Sequence, residues 1–193
     1  MEVKTIDRKK QIVDAATKSF SLFGYKATTM DQVAKLANVG KGTIYTFFSN
    51  KEELFDEIAF SLMDEMKGRA EKAISPTVTF SENVHNALFS MLEYRKEHKL
   101  TIKLYQEARE MGTPAVSDAL QKLEQMVVEF LSERISRAIE SKAIKPCNPE
   151  MTAFVMLKLY VALIFDWERE RGELDKDEIA NLFKLYLIEG LSI

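Results

Sequence analysis

The chain has 193 residues, of which 46% are hydrophobic and 30% are charged, and its formal net charge is −3. This composition fits a globular protein of one or two compact units and excludes a disordered chain. The 7 glycines and 4 prolines are too few for a turn-rich β fold, and the single cysteine, Cys147, excludes an intramolecular disulfide.

No segment predicts export or a membrane span. Residues 1–10 lack the apolar stretch of a secretory signal. The longest apolar run, Met151 to Phe165, is interrupted by Lys158 and is shorter than the roughly 18 residues that a transmembrane helix needs. We therefore expect a soluble, cytoplasmic protein.

The chain begins with two helix patterns. Apolar residues at helical spacing predict a helix from about Asp7 to Phe23, and Gly24 is suited to end it. Thr29 and Gln32 have the spacing of a capping box, in which each side chain accepts a hydrogen bond from the other residue's backbone N–H. A short second helix is predicted from this point.

A tight turn and a third helix follow. Asn38 tolerates the left-handed backbone conformation, and Gly40 is a suitable N-cap. Asn50 and Glu53 then predict the start of a fourth helix. The third helix is predicted to bury Ile44, Phe47 and Phe48 and to expose Lys41, Thr43, Tyr45 and Thr46.

The second and third helices with their turn, over about residues 30–49, have the layout of a helix-turn-helix, whose second helix enters the major groove of DNA. Gly40 and Gly42 permit a close approach, and the first amides of the helix can bind a phosphate. Lys41 supplies charge, the exposed hydroxyl groups can contact phosphates or base edges, and Lys51 can bind a flanking phosphate.

The charge is distributed unevenly along the chain. Residues 1–51 contain nine basic and four acidic side chains, a net +5, whereas the remaining residues carry −8. A basic head on an acidic body is typical of a protein that approaches phosphate with one end only.

The stretch TTMDQVAKLANVGKGTIYTFFSNKEELF, Thr28 to Phe55, closely resembles the DNA-binding region of TetR-family regulators. In that family the second helix, a Gly-Val-Ser turn, a Lys-Gly-Thr-aliphatic-Tyr helix, an aromatic pair and a Lys-Glu start of the fourth helix occur in this order. The resemblance covers about 50 residues from Asp7 onward, and the rest of the chain is similar in helical style only. It implies an all-α fold, in which a three-helix DNA-binding domain precedes a helical bundle that binds a ligand and dimerises.

The resemblance also implies roles for single residues. Thr43, Tyr45 and Lys51 lie at positions that usually contact phosphate, and Thr46 lies where base contacts vary among members. The sequence departs from the family at Asn38, where Gly is usual, and at Gly40, where a Ser usually caps the helix and can contact phosphate. Thr29 is expected to serve mainly as a cap, and a half-buried ring is the alternative for Tyr45. The predicted DNA-binding residues are Thr29, Lys41, Gly42, Thr43, Tyr45, Thr46 and Lys51.

The remainder of the chain is predicted to form a helical bundle. Breaks at Ser75-Pro76, at residues 112–114 and at residues 146–149 separate about five further helices. We predict a helix-turn-helix domain over residues 7–67 and an effector-binding and dimerisation domain over residues 68–193.

The last two helices carry more apolar side chains than one small chain can cover. Between Ala153 and Phe165 only Lys158 is charged, and a twofold contact between two copies would bury the excess. The resemblance implies that the same helix pair dimerises, and a monomer with an unusually apolar core is the alternative. Such a homodimer would bind a palindromic operator. The predicted interface residues are Leu157, Val161, Ile164, Phe183, Tyr186 and Leu187.

The middle helices are rich in methionine and aromatic residues, which line adaptable apolar pockets and also simply fill cores. The resemblance implies a pocket for a small effector, and our hypothesis is a lipophilic or aromatic compound, for example a fatty-acyl compound. His85, His98 and Cys147 form no metal-binding pattern, and no cofactor is expected. The predicted pocket residues are Phe89, Leu92, Tyr105, Met126, Phe130, Met156 and Tyr160.

The sequence thus predicts a dimeric DNA-binding regulator, acting as a repressor that a hydrophobic effector releases from its operator. An activator of the same family and a helical ligand-binding or scaffold protein stay open as alternatives. No catalytic constellation or nucleotide-binding loop stands out, so no enzyme activity is expected.

Overall fold

The computed structural model describes residues 7–97 and 99–191, and these ranges form helices without any strand. His98 and residues 1–6 and 192–193 lie outside the described residues. The first seven helices are α1 Arg8–Phe23, α2 Met30–Leu36, α3 Lys41–Tyr45, α4 Lys51–Ala73, α5 Phe80–Glu97, α6 Leu100–Met111 and α7 Pro114–Glu140. The all-α prediction is confirmed.

The last two helices each contain a π-helical turn. Helix α8 consists of Pro149–Val161, the π-helical turn Ala162–Trp167 and the final segment Glu168–Arg171. Helix α9 consists of Lys176–Phe183, the π-helical turn Lys184–Ile188 and Glu189–Leu191. Helices α5 to α9 are therefore the five further helices that the chain breaks predict. None of the helices in the described part of the chain is long and apolar enough to cross a membrane.

The predicted start and stop signals of the first helices are confirmed. Asp7 caps α1 by accepting a hydrogen bond from a backbone N–H, and Gly24 ends it with φ +83°. Thr29 and Gln32 form both bonds of the capping box at the start of α2. Asn38 adopts a left-handed conformation with φ +52°, which allows the chain to turn toward α3.

The described residues divide into two compact units. The first contains residues 7–62 and 99–120, because α6 folds back against α1, and the second contains residues 63–97 and 121–191. This division differs from a simple cut of the chain at residue 67, since a helix distant in sequence completes the N-terminal unit. The functional boundary at residue 67 stays a prediction.

The core of the first unit contains a cluster of three aromatic rings from α1, α4 and the loop after α1. The ring centroids of Phe20, Tyr25 and Phe55 lie 4.8–5.7 Å apart, within the range of favourable aromatic contacts. Ile44 and Phe48 are buried as predicted, but Phe47 is 39% exposed, so its prediction as a core residue is wrong. Helix α3 ends at Tyr45, so the helical spacing used to place residue 47 does not apply there.

Candidate DNA-binding surface and ligand cavity

Helix α3 presents the side chains that a DNA-reading helix needs. Gly42 and Tyr45 are exposed, with Tyr45 at 45% of its full accessible surface. A Cβ built at Gly42 would meet no atom of another described residue within 4 Å beyond its chain neighbours and its own helix backbone, so packing does not require glycine there. Thr43 is half-buried, and the exposed Thr46 donates its hydroxyl to the Thr43 carbonyl oxygen at 2.7 Å. The structure therefore places five of the predicted residues on this short helix and its C-cap, since Lys41 is the first residue of α3.

Lys41, the first residue of α3, and Thr29, the N-cap of α2, already have partners within the chain. The Lys41 ammonium is 2.9 Å from a carboxylate oxygen of Asp31 in the first turn of α2, and this pair raises the pKa of Lys41. Both side chains are well exposed, so the pair is weak in water and a phosphate can compete with Asp31. Thr29 is exposed and its hydroxyl belongs to the α2 capping box.

Lys51 has a structural role that the sequence does not predict. Its ammonium donates to the carbonyl oxygens of Tyr25 at 3.0 Å and Thr28 at 3.1 Å, and it lies 4.2 Å from the centroid of the Tyr25 ring. Lys51 therefore ties the start of α4 to the loop between α1 and α2. A phosphate contact by Lys51 stays a prediction, and it would have to share an ammonium that already makes two hydrogen bonds.

Glu107 on α6 supports the same loop and has no sequence signal. Its buried carboxylate accepts hydrogen bonds from the Lys26 backbone N–H at 2.9 Å and from the Thr113 hydroxyl at 3.0 Å. A Cβ at Gly24 would lie 2.4 Å from a carboxylate oxygen of Glu107. Since 81 residues separate Lys26 from Glu107, no local pattern could have revealed this contact.

The Tyr25 side chain connects the loop to α4. Its hydroxyl donates to the Glu52 carboxylate at 2.8 Å. Burial and the neighbouring carboxylate raise the pKa of Tyr25, and the hydrogen bond from Tyr25 lowers the pKa of Glu52. The loop after α1 is thus held to α4 and α6 by a set of polar contacts within the first unit.

The second unit encloses a cavity of about 640 Å³ between α4, α5, α7, α8 and α9. Four of the seven predicted pocket residues line it, namely Met126, Phe130, Met156 and Tyr160. Burial raises the pKa of Tyr160 to about 12, so its hydroxyl stays protonated and can donate to a ligand at neutral pH.

The other three predicted pocket residues are not among the described lining residues, which corrects the sequence-based list. Phe89 instead stacks on His85 with a centroid distance of 4.3 Å, Leu92 is buried in the core of the unit, and Tyr105 belongs to the first unit. The apolar pattern of a helix does not distinguish a side chain that packs in a core from one that faces a cavity.

A buried ion pair joins α5 to the end of α8 in the same unit. Arg95 donates to the Glu168 carboxylate at 2.7 Å, and both side chains are largely buried. Among the described residues, the Arg95 Nε and one Glu168 carboxylate oxygen have no hydrogen-bond partner, although buried polar atoms normally do. The contact joins residues 73 positions apart in the chain, so the helix patterns do not predict it.

The last two helices expose an apolar face that differs from the predicted one. Leu157, Ile164 and Phe183 are 8%, 3% and 4% exposed in the single chain, so they face the interior of their own unit. Val161 and Leu187 are half-buried, and of the predicted interface residues Tyr186 is well exposed. The large apolar side chains that α8 and α9 expose are Met151, Phe154, Val155, Trp167, Leu185 and Tyr186.

Known protein families match both the N-terminal and the C-terminal part of the chain. Residues 12–58 match the family described as bacterial regulatory proteins, tetR family, and residues 77–191 match the tetracyclin repressor-like C-terminal domain. The chain is 62% identical over 188 residues to the HTH-type transcriptional regulator YhgD of Bacillus subtilis (strain 168), and the match covers 97% of this chain and 98% of that protein.

Two solved structures with bound ligands share the fold. FadR from Bacillus subtilis in complex with stearoyl-CoA has a TM-score of 0.79 at 21% identity, with 94% of this chain and 98% of that chain covered. The SmeT–triclosan complex has a TM-score of 0.78 at 16% identity, with 96% of this chain and 92% of that chain covered. At these identities the similarity shows the fold alone.

Proposed function

Because the chain belongs to the TetR family of helix-turn-helix transcriptional regulators, we propose that it is a repressor that a small hydrophobic effector releases from a palindromic operator. It acts as a homodimer in the cytoplasm, where the operator is accessible. The DNA-binding residues are Thr29, Lys41, Gly42, Thr43, Tyr45, Thr46 and Lys51.

The observation that carries the DNA-binding role is the open space at Gly42. An exposed glycine inside a helix destabilises the helix by about 0.5–1 kcal/mol relative to alanine. Apart from the chain neighbours of Gly42 and the backbone of its own helix, no described atom lies within 4 Å of a Cβ at this position, so packing gives no reason for the glycine. A close approach of the α3 backbone to DNA does give a reason, and Tyr45, exposed on the same helix, carries a hydroxyl that can donate.

The test of this role is Gly42→Ala, which separates folding from DNA binding. We expect equal or higher stability in thermal unfolding, together with weaker binding to an inverted-repeat fragment from upstream of the protein's own gene. Binding is measured by fluorescence anisotropy at low ionic strength. If neither the empty protein nor the protein with added hydrophobic compounds prefers an inverted repeat, the regulator proposal fails.

A matched pair of lysine variants tests the phosphate contact. Lys41 on α3 and Lys18 on α1 are both exposed, and only Lys41 belongs to the proposed surface. Lys41→Gln should weaken binding to all DNA sequences and reduce the slope of log K against log salt by about 0.9. Lys18→Gln removes the same charge and should leave that slope unchanged. Equal effects of the two variants would contradict a specific contact by Lys41.

The exposed apolar face of α8 and α9 supports dimerisation. Aromatic residues are enriched at the centres of such interfaces, and Phe154, Trp167 and Tyr186 are exposed on these two helices. Leu185→Glu should convert the protein to a monomer in light scattering and abolish tight operator binding. Leu22 on α1 is comparably exposed, so Leu22→Glu serves as the control that should stay dimeric.

The cavity supports the effector role. Its volume of about 640 Å³ lies within the range of about 300–1,000 Å³ that small-molecule sites occupy. Helix α4 carries Lys51 at its start and cavity residues such as Met66 further along, so we propose that it couples effector binding to DNA release. Release requires that the effector bind the DNA-incompetent state more tightly than the competent one.

Operator release is tested by adding hydrophobic compounds to the protein–DNA complex and following anisotropy. Compounds that raise the melting temperature should also lower operator affinity. If stabilising compounds leave operator affinity unchanged, the sensing role fails although DNA binding stands. A reporter gene behind the operator distinguishes repression from activation, because deletion of the regulator raises expression only in the first case.

A further inference from the structure

The charged groups on the cavity wall are all of one sign. Among the described residues that line the cavity, Lys67 on α4 and Arg134 and Arg137 on α7 are basic, and none is acidic. Lys67 and Arg137 are exposed and Arg134 is partly buried, so the basic groups mark the solvent-facing side of the cavity. An apolar site that holds only cations attracts anions and repels cations.

Arg134 is held in place with its charge only partly balanced. Its guanidinium carbon lies 3.3 Å from the centroid of the Phe130 ring, and one nitrogen donates to the Phe130 carbonyl oxygen at 3.1 Å. Among the described residues, the carboxylate oxygen that pairs with Arg134 is on Glu71, 3.6 Å from a guanidinium nitrogen, which is longer than the roughly 2.7–2.9 Å of a charge-assisted hydrogen bond. The Glu71 side chain is also well exposed, so this pair is weak.

The electrostatic surroundings of Arg134 agree with this geometry. Burial lowers the pKa of Arg134, Arg137 lowers it further, and Glu71 and Glu133 partly oppose the decrease. The guanidinium stays charged, because arginine does not lose its proton at physiological pH. Arg134 is therefore a preoriented cation, and an anion closer than Glu71 would interact with it more favourably.

The rest of the cavity suits a flexible apolar group. The lining includes Met66, Met91, Met126 and Met156, whose unbranched side chains adapt to different shapes. A guanidinium binds a carboxylate or a phosphate through two parallel hydrogen bonds, which a neutral or cationic group cannot accept. A ligand with an apolar body and one anionic end would thus satisfy both parts of the wall.

We propose that the effector is an amphipathic anion, whose carboxylate or phosphate binds Arg134, with Lys67 and Arg137 beside it, and whose apolar tail occupies the methionine-rich part of the cavity. This inference rests on the proposed function of the cavity as the effector site. It excludes organic cations and uncharged hydrophobes as preferred effectors.

The test compares three probes of equal chain length that differ only in their head groups: dodecanoate, dodecan-1-ol and dodecyltrimethylammonium. Binding is measured by calorimetry below the micellar concentration, and operator release is measured by anisotropy with the same probes. Dodecanoate should bind at least about tenfold more tightly than dodecanol, and the ammonium compound should bind most weakly.

Variants of the full chain identify the head-group site. Arg134→Gln should weaken dodecanoate binding about tenfold or more and leave dodecanol binding unchanged, which also shows that the cavity is intact. Arg137→Gln, at an exposed position, should reduce the preference for dodecanoate over dodecanol without affecting the fold. Glu71→Gln removes the competing carboxylate and should tighten dodecanoate binding. Lys72→Gln, on the same helix as Lys67 but not among the described lining residues, should change neither affinity.

The outcomes separate this inference from the regulator proposal. Equal affinity for the three probes, a preference for the ammonium compound, or no binding of any probe would overturn the anionic effector. If only a neutral compound abolishes operator binding, the regulator proposal stands and the proposal of an anionic effector fails. Head-group selectivity that depends on Arg134, in a protein that binds no operator, would support the anion site and overturn the regulator.

Discussion

Replacement of Gly24 by alanine tests how the loop after α1 is built. Gly24 has φ +83° and ψ 168°, a region that is nearly restricted to glycine and costs other residues about 1–3 kcal/mol. The added Cβ would also lie 2.4 Å from a Glu107 carboxylate oxygen, so that carboxylate has to move. Its movement weakens the hydrogen bonds from Lys26 and Thr113.

The backbone strain and the displaced carboxylate together should reduce the stability of the protein considerably. A hydrogen bond to a charged group contributes about 1.5–3 kcal/mol, and the displaced carboxylate loses at least one such bond. Gly24→Ala should therefore reduce the free energy of unfolding by about 2.5–6 kcal/mol, the sum of the backbone and carboxylate effects. Gly112→Ala is the control, because Gly112 has φ +59° with nothing within 4 Å of an added Cβ, and it should cost only about 1–2 kcal/mol.

The assay is urea unfolding followed by circular dichroism at one fixed protein concentration, since the proposed dimerisation would couple stability to concentration. A double-mutant cycle with Glu107→Ala isolates the carboxylate effect. In the Glu107→Ala background, Gly24→Ala should reduce the free energy of unfolding only by the backbone cost. The coupling energy between the two substitutions should then be about 1.5–3 kcal/mol. Additive effects of the two substitutions, within about 0.5 kcal/mol, would refute the argument.

Three further predictions concern other polar contacts. Arg95→Met leaves the Glu168 carboxylate buried without its partner and should cost about 3–5 kcal/mol in urea unfolding, whereas a loss below about 1 kcal/mol would contradict a buried pair. Tyr25→Phe removes the donor that lowers the pKa of Glu52. A carboxyl group whose pKa is lower in the folded state stabilises the protein above its unfolded pKa, and this stabilisation is lost as the pH falls. The melting temperature of the wild type should therefore decrease more than that of the variant between about pH 5 and pH 3. Parallel curves of melting temperature against pH would contradict this. Asp175→Ala removes the capping box of α9 and should cost about 0.5–2 kcal/mol, while no change in the urea midpoint would show that the cap is not needed.

Features that depend on neighbours within about four residues were predictable from the sequence. The capping box of Thr29 and Gln32, the left-handed Asn38 and the end of α1 at Gly24 are all confirmed. Each follows from the hydrogen bonds or the steric freedom of a residue and its immediate chain neighbours. Where the helical spacing was extended past the end of α3, at Phe47, the prediction was wrong.

The surfaces of the second unit were harder to predict. Helix α8 is apolar on nearly all sides, so its pattern does not say which face packs inside and which stays exposed. The structure turns Leu157 and Ile164 inward and leaves Phe154 and Val155 exposed. The basic residue Arg134 follows Phe130 by one helical turn on the apolar stripe of α7, and this irregularity was a signal that could have indicated a cavity.

The sequence alone determined the helical class, the order of the N-terminal helices and most of the side chains that α3 exposes, because helix periodicity and capping act over a few residues. Only the tertiary structure decided which charges meet: Glu107 with Lys26, Arg95 with Glu168, and the basic residues around the cavity. Such contacts join positions far apart in the chain, and they depend on how the helices pack rather than on the local pattern of either partner.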